Sequence, residues 1–126
     1  MKTQKSQPNL FEAISKDPAV RRAVTGESHQ LFFSVYLKHY IRYPMAEFQK
    51  DIIRVTEDAS NKLACIVAFR GSAKSTLITL SYAIWSVLGI QQKKFVLILC
   101  QTQAQARQHM MNLRKELEQN RLLKID

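Results

Sequence analysis

Two apolar runs and the polar turn between them constrain this chain more than any other feature. Leu63-Ala64-Cys65-Ile66-Val67-Ala68-Phe69 is continuous, short and partly β-branched, the pattern of a parallel strand covered on both faces. Arg70 to Thr76, RGSAKST, forms a tight polar turn. From about Lys74 to Leu88 the residues Leu77, Leu80, Ile84 and Leu88 recur at helical spacing, and Gly89 is a natural stop. Phe95-Val96-Leu97-Ile98-Leu99-Cys100 is a second strand pattern. Thr102 with Gln105, T-x-x-Q, makes a capping box that starts a last helix, with Ala106, Met110, Leu113 and Leu117 on one face. This order predicts an α/β fold: a βαβ unit with a right-handed crossover.

Upstream the pattern is helical. Asp17-Pro18 is a helix start, because the aspartate accepts from free backbone N–H groups and proline needs no donor at the first helical position. Gly26 closes that piece. Leu31, Phe32, Val35, Tyr36 and Tyr40 then give a helix from Ser28 to about Arg42 a broad aromatic face. Pro44 ends it and opens another, carrying Met45, Phe48, Ile52 and Val55 on one side; Glu57 to Lys62 is a polar loop. A helical segment over residues 1–60 followed by a βαβ region over 61–126 is the expected organisation, within the size of one domain.

Charge adds a direction. Lys and Arg total 19 against 10 Asp and Glu, and no acid at all lies between Asp58 and Glu116. Such a surplus draws a chain toward polyanions, although Lys93, Lys94, Arg107, Arg114, Lys115, Arg121 and Lys124 also read as a solvated helix face. Cys65 and Cys100 have neither zinc-site nor disulfide-scaffold spacing, which points to a reducing interior, and MKTQKSQPNL lacks the apolar core of a secretory signal. Ser75 to Gln92 is uncharged and nearly long enough to cross a bilayer, but its hydroxyls and glutamines make poor hydrocarbon filler. His29, His39 and His109 have no partners at metal-ligand spacing and read as surface or packing residues.

The turn is where chemistry is expected. A nucleotide's phosphates need backbone N–H donors, a helix amino terminus, a lysine for the outer phosphates and a small hydroxyl for magnesium. AFRGSAKS supplies most of these: Lys74 and Ser75 stand in the required places, and Gly71 permits a backbone conformation that other residues resist. The strict pattern G-x-x-x-x-G-K-[ST] is broken by Ala68 and Ala73, and the second methyl leaves room for phosphate if φ there is negative. Arg70 reads either as a surface arginine or as a contact to transferring phosphate charge.

FFSVYLKHYIRYPMAEFQKDI, ACIVAFRGSAKSTL and FVLILCQTQAQARQHMMNLRKELEQN together resemble the amino-terminal part of the large terminase subunit of tailed bacteriophages, the ATPase motor that packages double-stranded DNA into proheads. The resemblance covers residues 32–126. That family carries a deviant phosphate loop with an arginine four before the lysine and often an alanine just before it, as in Arg70 and Ala73. It implies a P-loop NTPase-type βαβ unit preceded by a helical amino-terminal segment, ATP and Mg2+ as cofactors, and the host bacterial cytoplasm as the compartment. It implies Gln49, behind Phe48, at the adenine; Arg70, Gly71, Ser72, Ala73, Lys74, Ser75 and Thr76 around the phosphates; Ser75 on the metal; and Arg70 as the catalytic trigger of hydrolysis in cis. A small terminase subunit and a portal are the implied partners. On residue type alone, Phe48 reads as helix core and Gln49 as a solvated side chain.

Hydrolysis also needs an acid to hold magnesium and a carboxylate to polarise water. Neither is found near the loop. Glu116 and Glu118 lie on the last helix, and Asp126 ends LLKID, a run broken by lysine. The expectation is therefore the first part of such a motor, cut before its magnesium-binding acid strand and its nuclease, with an incomplete sheet and little hydrolysis of its own. A helicase-type nucleic-acid-dependent ATPase and a non-catalytic basic binding module are the alternatives.

Overall fold

Asp17 starts the first helix as its place before Pro18 predicts: its carboxylate accepts from the Ala19 N–H at 2.8 Å, and helix α1 runs Pro18–Glu27. A computed structural model of the chain describes residues 12, 14 and 16–126. The absence of a signal sequence, read from residues 1–10, lies outside the described residues. Ser28 caps α2, His29–Tyr36, through the Leu31 N–H, and a 3-10 turn, Lys38–Tyr40, follows. Helix α3, Glu47–Glu57, begins three residues after Pro44, and Asp58 to Lys62 is the expected polar loop.

From Lys74 the chain is helical to Leu88, but not uniformly so. Thr76–Tyr82 is a π stretch, in which the Ala83 N–H reaches back to the Ile78 carbonyl, and α4, Ala83–Leu88, completes the element. The wider turn rotates everything beyond it. Leu77, Leu80 and Ile84 are buried as their spacing predicts, but Leu88 is 57% exposed and Trp85, at 1%, takes the inward position. Helices α5, Gln103–Gln119, and α6, Arg121–Ile125, end the fold; the Thr102 hydroxyl accepts from the Gln105 N–H as predicted.

The core gathers Phe32, Phe33, Tyr36 and Leu37 from α2 and its end, Ile52 and Ile53 from α3, Leu77 and Leu80 from the π stretch, and Ile84 and Trp85 from α4. Each such burial contributes roughly 1.5–3 kcal/mol. The π stretch contacts α2, α3 and α5, so it is the centre of the packing. Gly26 and Gly89 let α1 meet the end of α4: Ile90 N–H donates to the Gly26 carbonyl at 2.9 Å and Trp85 Nε1 to the Thr25 carbonyl at 3.0 Å. At the other side Asp126 closes the molecule. Its carboxylate accepts from Arg21 Nε at 2.5 Å and Nη2 at 2.6 Å, and from the Tyr36 hydroxyl at 2.6 Å, with the Arg21 and Asp126 side chains both buried.

The expected α/β architecture is not what forms: among the described residues there is no strand, no sheet and no crossover, and the fold is all-helical. Residues 63–69 and 95–100 form no regular secondary structure: a strand exists only by hydrogen bonding to a neighbour, and neither run has one among the described residues. Their side chains are therefore not covered on two faces. Leu63 is 93%, Val67 90% and Leu99 83% exposed. The face predicted for the last helix is also largely open, with Met110 and Leu117 exposed and only Leu113 of the larger residues packed on the core. Among the described residues no helix is long and apolar enough to cross a membrane.

Candidate functional site

The turn predicted to carry the chemistry wraps a hollow. Ala68 through Thr76 line an open concavity of about 500 Å3 at the start of the helix that begins at Lys74. Of the residues expected around phosphate, Arg70, Gly71, Ser72, Ala73, Lys74, Ser75 and Thr76 all border it. Gly71 has φ +85° and Ala73 φ +62°. The negative φ on which room for phosphate beside the Ala73 methyl depended is not found: the residue sits in the left-handed region at a cost of about 1 kcal/mol, so that condition is not met. What holds it there is visible: Leu77 N–H donates to the Ala73 carbonyl at 2.9 Å, and Ser72, itself buried, donates its N–H to the Phe69 carbonyl at 3.3 Å. Backbone strain held by its surroundings is a recurrent feature of ligand sites.

Lys74 curls over the turn, its Nζ donating to the Ala68 carbonyl at 3.3 Å. Arg70 and Ser75 are exposed on the rim. Phe48 does two jobs, packing against the core and meeting Phe69 with ring centroids 5.2 Å apart.

Gln49 does not border the main hollow. It stands behind the turn, where Nε2 donates to the Ser72 carbonyl at 3.1 Å and Oε1 accepts from the Ala46 N–H at 3.0 Å. One amide thus ties the start of α3 to the turn. Gln49 also lines a second, smaller cleft of about 200 Å3, whose wall includes Tyr43, Pro44, Met45, Gly71 and Ala73. The two concavities share Gly71 and Ala73, so the turn is a partition between them; the smaller one is lined by Phe33, Tyr40, Tyr43 and Met45 and also by Arg42. Sequence reasoning does not single out Tyr43 and Met45 as site residues. The proximity of RYPM to Gln49 along the chain is the available signal.

Magnesium bound with a nucleotide keeps phosphate and water ligands and needs few from the protein. Ser75 borders the hollow, and among the described residues no carboxylate lines it. Glu116 is buried and lines neither concavity, accepting from His39 Nε2 at 2.9 Å, the Tyr40 hydroxyl at 3.0 Å and Asn120 Nδ2 at 3.0 Å. It is a structural acid. Asp126 is consumed by Arg21 and Tyr36, and the guanidinium beside it holds its carboxyl below the usual range. No family model, curated protein or solved structure matches this chain.

Proposed function

We propose that this chain is the nucleotide-holding, amino-terminal part of a phage terminase large subunit, the motor that drives double-stranded DNA into proheads with ATP. The observation that carries the reading is the shared partition. An open hollow lined by Arg70, Lys74, Ser75 and Thr76 and a smaller cleft lined by Tyr43 and Gln49 meet at Gly71 and Ala73, neighbouring places for a nucleotide's charged and flat ends. Lys74 would exchange its contact with the Ala68 carbonyl for the outer phosphates, Ser75 would face the Mg2+ that accompanies them, and Gln49 with Tyr43 would meet the base. Arg70, on the rim, would reach phosphate charge as it moves. Hydrolysis by this chain is expected to be slight, since no acid borders the hollow.

Titration with Mg-ATP, followed by Trp85 fluorescence or calorimetry, tests the reading. Lys74→Ala should weaken binding about tenfold or more, the loss of one charge-assisted contact. Gln49→Ala should weaken ATP more than it weakens inorganic triphosphate.

The bonds that brace the turn from within, Lys74 to Ala68 and Gln49 to Ser72, favour a second reading as a basic binding module with a purely structural loop. Indifference of ATP to Lys74→Ala would establish that reading instead.

A further inference from the structure

The most exposed apolar surface of this molecule is also its least satisfied backbone. From Leu63 to Val67 and from Lys94 to Gln101, no N–H or carbonyl takes part in a backbone hydrogen bond among the described residues. Exposure alternates over part of each run: Cys65, Val67 and Phe69 are exposed while Ile66 and Ala68 are partly covered, and Leu97 and Leu99 are exposed while Ile98 and Cys100 are partly covered, whereas Leu63, Ala64, Phe95 and Val96 are all exposed. Phe95 to Ile98 lie along the groove beside Ile78, Thr79 and Tyr82 of the π stretch. Each run thus has a few side chains seated on the helices and backbone groups without ladder bonds, the condition in which a segment takes up a strand from elsewhere. A lipid surface does not suit it, because hydrocarbon offers nothing to the bare N–H and carbonyl groups.

Charge selects the occupant. Lys62 and Arg70 bracket the first run, Lys93 and Lys94 precede the second, and the sequence from Ala59 to Lys115 contains no acid. For the first run a second copy is disfavoured. Antiparallel self-pairing centred on Ile66 sets Lys62 against Arg70, parallel pairing sets Lys62 against Lys62, and like charges directly opposed are destabilising. We propose that residues 63–69 and 95–100 are docking edges for apolar extended segments of another polypeptide that carry carboxylates at their ends. The second run is independent of nucleotide binding at the turn, whereas the first shares Ala68 and Phe69 with the lining of the hollow.

The probe is a synthetic peptide of about seven alternating valine and threonine residues with aspartates at both ends, alongside the same peptide ended by lysines. Amide hydrogen exchange of the full chain is the readout. The acid-ended peptide should slow exchange across 63–69 and 95–100 by about tenfold or more, the protection one stable ladder confers, and the lysine-ended peptide should not. Val67→Pro removes an edge donor at an exposed, unbonded position and should abolish protection in 63–69 while sparing 95–100, which also reports that the variant is folded. Lys74→Ala should leave protection of 95–100 intact, separating this result from that of the ATP titration. Equal protection by the two peptides, no protection at saturating acid-ended peptide, or protection that rises with chain concentration alone overturns the proposal.

Discussion

His29 is fully buried between two hydroxyls, Thr56 Oγ1 at 2.6 Å and Ser81 Oγ at 2.8 Å, and its ring stacks on Trp85 with centroids 5.3 Å apart. Burial pushes its pKa down to about 4 from an ordinary 6.5. The native state therefore keeps a neutral ring where the unfolded chain binds a proton, so the stabilisation is complete above pH 6.5 and is lost as pH falls from there toward 4. The loss should reach about 3 kcal/mol. Urea unfolding at a series of pH values between 7.5 and 4.5 checks it, and His29→Gln should flatten that slope. In the sequence this histidine reads as a packing or surface residue because it lacks ligand-spaced neighbours. Its hydroxyl partners were not legible, since Thr56 and Ser81 lie 27 and 52 positions away. Glu116 and Asp126 were hidden for the same reason: nothing local announces that His39 or Arg21 folds back onto them.

Helices were legible where their signals were local. The Asp17-Pro18 start and the Thr102 cap lie within three residues of what they bond. The pitch change at Thr76–Tyr82 was not, because a π turn is set by what packs around it, and it moved Trp85 rather than Leu88 into the core. The strand expectation failed for a related reason. Apolar β-branched content says that a segment would make a good strand, but pairing belongs to two segments at once. The turn at 68–76 was legible as a hollow-forming loop, while the cleft behind it needed Tyr43 and Met45 to be brought round by the 3-10 turn and α3. Where α4 ends, a methyl on Gly89 would lie 2.7 Å from the Trp85 carbonyl and 2.9 Å from that of Gly26. Gly89→Ala must push α1 and α4 apart and should cost about 1–3 kcal/mol, measured by thermal or denaturant unfolding.

Across the whole molecule, the Arg21–Asp126 pair joins positions 105 apart and draws α1 and α2 against the segment after α5. Asp126→Asn removes the carboxylate charge paired with the buried Arg21 side chain and should cost about 3–5 kcal/mol, whereas a surface control such as Arg114→Gln, whose partner Glu118 is exposed, should fall within about 1 kcal/mol of the parent chain in the same unfolding assay. The acid-free interval acts at this scale too. A long stretch of cations with no carboxylate among them gathers its neutralising ions from the buffer, so the molecule moves inside an atmosphere of chloride or phosphate. A nucleic acid or an acidic strand landing there sets those ions loose, and its hold slackens with every increment of salt.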